Sequence, residues 1–190
     1  MYDLILADPP WPHYGDPNKD AAAGKHYDLL TREQVEALPV AGLCNRKAAL
    51  FLWATGPTLH MAVDAIRAWG FHYRGVAFIW VKTRKDGGII HGQGIRPTFT
   101  KPNAEYVLAA STCKTGRPLP LQTEAMGQIV LAPRGRHSQK PAVFHERLEE
   151  LFGDVPRIEL FARQRREGWE ATGLELDGTD YRAGQLWPTH

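Results

Sequence analysis

The run Leu4-Ile5-Leu6-Ala7 followed by Asp8-Pro9-Pro10-Trp11 constrains this chain more than any other stretch of it. Consecutive apolar residues that end in a polar turn read as a strand buried on both faces, as inside a parallel sheet. Two successive prolines then stop the ladder, because each fixes φ and lacks the N–H that the next rung needs. Asp8 therefore stands at the carboxyl end of a buried strand, where open α/β sheets place their ligands. The same pattern also ends a strand in an ordinary turn, and tryptophan is often a core residue.

What chemistry needs a rigid carboxylate, a rigid loop and a flat aromatic together? An exocyclic amine on a purine or pyrimidine carries N–H donors and a lone pair delocalised into the ring, so it is a weak nucleophile. Asp8 and the Pro9 carbonyl are two acceptors that would hold such an NH2 group for in-line attack. They would also stabilise positive charge developing on the nitrogen. Trp11 is placed to stack on the ring, with Tyr14 close by in sequence. The implied reaction is methyl transfer to an amino nitrogen.

At 190 residues and 43% hydrophobic content, the chain suffices for one sizeable core and not for two full domains. We expect a single domain over 1–177 and a tail over 178–190. With no apolar run of membrane-spanning length and no charged-then-apolar leader, a soluble cytoplasmic protein is expected. Cys44 and Cys113 lie far apart, and the eight histidines never take a metal-ligand spacing, so neither disulfide nor metal is expected. Charge becomes informative once divided along the chain. Residues 82–140 hold ten lysines and arginines against three acidic residues, a surplus of seven, whereas the remainder has an acidic excess of five. Such asymmetry suits a polyanion gripped through one region, with loops 83–103, 112–127 and 132–139 as the contacting segments. A basic surface that is merely solvated is the alternative.

Periodicity places further strands at 48–54, 75–81, 105–110, 128–131 and 157–161, with a last short one around 169–174. Helices are expected from Thr31, with Gln34 completing a capping box, over 58–69, and over 140–152. Residues 12–30 form a long aperiodic segment, read as a flap. Strands separated by helices and long crossovers predict an α/β fold with a mostly parallel sheet.

Taken in order, Asp8-Pro9-Pro10-Trp11, Tyr27 ahead of the Thr31 helix, Leu50-Phe51-Leu52-Trp53, Trp80-Val81-Lys82-Thr83, His137-Ser138-Gln139-Lys140-Pro141, Glu159-Leu160-Phe161-Ala162-Arg163 and Gly168-Trp169 resemble the mRNA-adenosine-methyltransferase-like (MT-A type) family over almost the whole chain. The likeness is to its phage and bacterial DNA adenine methyltransferases. The resemblance implies a Rossmann-like methyltransferase fold, helices on both faces of the sheet, with the catalytic strand ahead of the cofactor strand. It implies S-adenosyl-L-methionine as cofactor and adenine-N6 methylation of nucleic acid, DNA ahead of RNA, with an inactive nucleic-acid-binding partner subunit as a further alternative. Oligomeric state stays open.

By the same resemblance Asp8, Pro9, Pro10 and Trp11 are catalytic. Lys140 meets the methionine carboxylate from a helix start, and Glu159, Phe161, Arg163 and Glu175 join Asp8 around the cofactor. Trp11, Tyr14, Tyr27, Lys82 and Glu105 line the base pocket and its rim. Leu174-Glu175 stand where eukaryotic members carry Asn-Gln, so one amide contact to the cofactor is lost. The chain starts seven residues before Asp8, without the upstream Asp segment of those relatives, so Asp8 or backbone near Glu159 is expected to compensate. Phe161-Ala162-Arg163-Gln164 also lacks the glycine-rich turn of dinucleotide enzymes.

Overall fold

Residues of β1 (Tyr2–Ala7) alternate between two cores, Ile5 and Ala7 on one face of a sheet and Leu4 and Leu6 on the other. This alternation, with all four of those residues essentially inaccessible, is what a strand covered on both faces requires. The computed structural model describes residues 1–12, 29–92, 99–135 and 139–186. The other strands are β2 (Cys44–Ala54), β3 (His72–Thr83), β4 (Ala104–Ser111), β5 (Ile129–Pro133), β6 (Arg157–Leu160) and β7 (Glu170–Thr172). They form one sheet in the order β5-β3-β4-β2-β1-β6-β7. Every pairing is parallel except the two made by β4, which runs against β2 and β3. The sheet is thus mostly parallel, and β1 lies between β2 and β6, which follow it in the chain.

Helices cover both faces. α1 (Arg32–Glu36) and α2 (Leu59–Ala68) bury Val35, Ala62, Ala65 and Ile66 against the face of Ile5, while α3 (Val143–Phe152) buries Phe144, Leu148 and Phe152 against the face of Leu4. α1 starts as the sequence predicts: the Thr31 hydroxyl accepts from the Gln34 N–H at 3.2 Å, and the Thr31 N–H donates to Gln34 Oε1 at 2.8 Å. No helix among the described residues is long and apolar enough to cross a membrane.

Two expectations need correction. α3 begins at Val143, not at Lys140, because the residue before a proline is pushed out of helical φ/ψ and Lys140 precedes Pro141. Lys140 is therefore in a loop. Nor is the chain after Asp177 a tail throughout: a short helix α4 (Leu174–Asp177) leads into a 3-10 turn at Tyr181–Ala183, and Thr179, Tyr181 and Leu186 are buried. Lacking apolar periodicity, that stretch offered no sequence signal of burial.

Candidate active site

Because β4 runs backwards, its first residues lie beside the last residues of β3, with Glu105 opposite Trp80 and Ala104 opposite Val81. The carboxyl ends of β1 and β3 and the start of β4 thereby share one edge. Along it four charges alternate: Asp8 Oδ2 meets Lys140 Nζ at 2.7 Å, Lys140 meets Glu105 Oε2 at 3.3 Å, and Glu105 Oε1 meets Lys82 Nζ at 2.6 Å. Lys140 and Glu105 each expose only 14% of the side chain, so solvent and salt screen these contacts weakly. The ammonium of Lys140 lies 5.1 Å from the Trp53 ring centre, and that of Lys82 the same distance from Trp80. Beneath them Trp53, Trp80 and Phe144 pack edge to face.

The chain of charges sorts the carboxyl groups. Burial pushes Asp8 above its ordinary value, even against the pull of Lys140. Glu105 is desolvated as well, but two ammonium groups outweigh this and hold it below. Lys140, between two carboxylates, is held firmly protonated despite its burial.

The turn after Asp8 is equally fixed. The Trp11 N–H donates to the Pro9 carbonyl at 2.8 Å, which leaves that oxygen a second lone pair, and the Leu30 N–H donates to Pro10 at 3.0 Å. The indole of Trp11 donates to the Trp53 carbonyl at 2.9 Å, which orients a half-buried ring. Tyr14 and Tyr27, expected beside it, lie outside the described residues, as do His137 and Ser138.

The other half of the edge is made of turns. The Asp8 N–H continues the ladder to the Leu160 carbonyl at 3.4 Å, and just beyond it Phe161 has a φ of 63°. The Ala162 N–H donates to the Thr172 carbonyl at 2.9 Å. Gly173 lies so close that a Cβ there would overlap the Ala162 carbonyl oxygen. Asp177 accepts from the N–H groups of Thr179 and Gly173 at 3.1 and 3.2 Å and from the Thr179 hydroxyl at 2.6 Å. These bonds hold its carboxyl below the usual range although burial opposes them. Glu175 is exposed in α4 past the end of β7, and Arg163 is exposed in the turn after β6. Glu159 points to the α3 side, where His145 Nε2 lies 2.8 Å from its carboxylate and stacks edge-on over Trp169.

The structure therefore brings Asp8, Lys140, Glu105 and Lys82 together, and puts Phe161 and Arg163 on the neighbouring turn and Glu175 in α4 beyond β7. Sequence reasoning missed the contact of Lys140 with Asp8, the partnership of Glu159 with His145, and Tyr181. Only the tryptophans left a trace in sequence, each near the end of an apolar strand.

The MT-A70 family model matches residues 2–175, which takes in the seven strands of the described residues and the charges of Asp8, Lys82, Glu105 and Lys140. The chain is 30% identical, over 92% of its length and 78% of the relative's, to the Type II methyltransferase M.MunI of Mycoplasma sp. It is 27% identical to a probable N(6)-adenosine-methyltransferase MT-A70-like of Oryza sativa subsp. japonica, covering 94% of this chain and 23% of that one. The human N(6)-adenine-specific methyltransferase METTL4 is 25% identical over 92% of this chain and 37% of its own. With a match that begins on β1 and reaches α4, this chain belongs to the MT-A70 family of N6-adenine methyltransferases.

Proposed function

We propose that this protein transfers a methyl group from S-adenosyl-L-methionine to the N6 amino group of adenine in DNA, in the cytoplasm. The observation that carries the reading is the Asp8 carboxylate, pinned by Lys140 at 2.7 Å and followed at once by the Pro9 carbonyl. These are two acceptors for one NH2 group. Their fixed geometry orients the amine without reorganisation at the moment of attack. To reach them, the base leaves the duplex stack and enters against Trp11. Likeness to a Type II methyltransferase over most of the chain favours DNA, and the basic stretch 82–140 supplies phosphate attraction.

The residues also fit the cofactor, which when bound supplies an electrophilic methyl group on a sulfonium. Lys140 has three N–H donors and uses two on Asp8 and Glu105, so one remains for the methionine carboxylate. Glu175 in α4, just past β7, would accept from ribose hydroxyls, as acidic residues do in nucleotide-binding sheets. Phe161 and Arg163, on the turn after β6, would hold the adenosine.

A tritiated-methyl transfer assay on matched DNA and RNA oligonucleotides, run with the native chain and Asp8→Ala, tests the reading. DNA labelled at adenine N6 by the native chain, with at least about a thousandfold loss in Asp8→Ala and cofactor affinity within a few fold, is the expected result. Label in RNA alone would move the substrate, and an unaffected Asp8→Ala would falsify the mechanism.

A further inference from the structure

The segment past Asp177 lies beyond the family match, yet it reaches back over the turn after β6. Phe161 occupies the left-handed region, which a bulky side chain leaves unless its surroundings hold it. Tyr181 is what holds it. The Phe161 N–H donates to the Tyr181 Oη at 2.9 Å, and the two rings lie 4.1 Å apart at 33°. The same hydroxyl donates to the Thr172 carbonyl at 2.8 Å, so one atom ties the end of β6 to the end of β7. Tyr181 is 5% exposed, which leaves little room for water to replace it. Burial also pushes its hydroxyl up to about 12, so the donated proton stays in place at physiological pH.

Its own position is fixed from two sides. The Asp180 side chain accepts from the Arg182 N–H at 3.0 Å and caps the 3-10 turn. The buried hydroxyls of Thr172 and Thr179 lie 2.6 Å apart and share Asp177. Without the tyrosine hydroxyl, the Phe161 N–H loses its acceptor and the left-handed turn loses its restraint. Because Gly173 already touches Ala162, a shift in one turn displaces the other.

We infer that Tyr181 is a positioning residue of the cofactor side: its hydroxyl and ring keep Phe161 in the left-handed conformation and so set the course of the 161–163 turn. The inference rests on the proposed use of that turn for S-adenosyl-L-methionine, and Tyr181 acts through Phe161 rather than by touching the cofactor.

Tyr181→Phe keeps the ring and removes the hydroxyl. Titration with S-adenosylhomocysteine should show its Kd rising about fivefold to tenfold, as expected when the buried hydrogen bond that restrains Phe161 is lost. Oligonucleotide affinity and kcat at saturating cofactor should stay within about twofold, since those steps use the other half of the edge. A lower melting temperature with unchanged Kd overturns the inference, because a purely structural tyrosine gives that result. Should the variant not fold, hydrogen exchange on the native chain decides. S-adenosylhomocysteine should slow exchange at 161–163 and at 179–181 together, and protection confined to 161–163 overturns the coupling. A native chain that does not bind S-adenosylhomocysteine at all sinks the functional reading instead.

Discussion

Asp8 and Asp177 stand beyond strands of the same sheet at the same edge, and their carboxyl groups are pushed in opposite directions. Asp8 is raised by burial that Lys140 only partly offsets, whereas Asp177 is lowered by N–H and hydroxyl donors converging on it. The difference follows how each half is made. Around Asp8 four side-chain charges from four separate parts of the chain compensate one another. Around Asp177 backbone turns are fixed by hydrogen bonds within a few residues. A charge chain orients a reacting group at the cost of desolvation, while a hydrogen-bonded turn shapes a surface around one carboxylate that local donors keep ionised. The two halves should therefore fail differently.

Lys140→Met attacks the first half and has the largest expected effect. It strands the Asp8 carboxylate and leaves Glu105 with Lys82 alone, so urea denaturation should show a loss of about 3 kcal/mol. Methyl transfer should vanish with it. Adding Glu105→Gln should cost less than the sum of the two changes, because the groups act as one network. Full additivity would show that the four charges are independent pairs.

Gly173→Ala attacks the second half. A Cβ there meets the Ala162 carbonyl oxygen, backbone that cannot swing aside as a side chain can. Steady-state kinetics should show kcat/KM for cofactor falling by about a hundredfold, as for an ångström-scale misplacement. If the loss appeared in oligonucleotide KM instead, the division of the edge into two halves would be wrong.

The smallest effect is the pH dependence, which separates the two carboxyls. Transfer needs Asp8 ionised, so kcat/KM should fall as pH drops through a pKa above the ordinary aspartate value of about 4. For stability the signs oppose. Asp177 and Glu105, held low in the folded chain, contribute stability above their unfolded values and lose it as pH falls through their folded ones. Asp8, held high, opposes folding at neutral pH and ceases to do so as it takes up a proton. A pH titration of activity and of urea midpoint should thus show activity lost before stability. Coincident loss would mean that Asp8 has an ordinary environment.

Much of this arrangement was legible in the order of residues. Periodicity located the seven strands of the described residues; where a strand is buried on both faces it needs an unbroken apolar run, and Leu4–Ala7 and Ala48–Ala54 supply one. Local chemistry placed the Thr31 cap, since Gln34 lies within reach of its partner in the chain. What sequence alone could not supply was the direction of β4. A strand reads the same either way, and only the antiparallel placement sets Glu105 between Lys82 and Lys140.

The C-terminal segment shows the same limit from the other side. Tyr181 and Thr179 carry no periodic signal, and they are buried through contacts with Phe161 in its left-handed turn and with Thr172 at the end of β7. By itself the sequence determined that a buried strand must end at Asp8 and that two prolines must fix the turn behind it, since both follow from backbone chemistry within a few residues. Only the tertiary structure decided which ammonium compensates that carboxylate and which hydroxyl holds the neighbouring turn. Those contacts join residues 132 and 20 positions apart, and their energies exist only once water has been excluded between them.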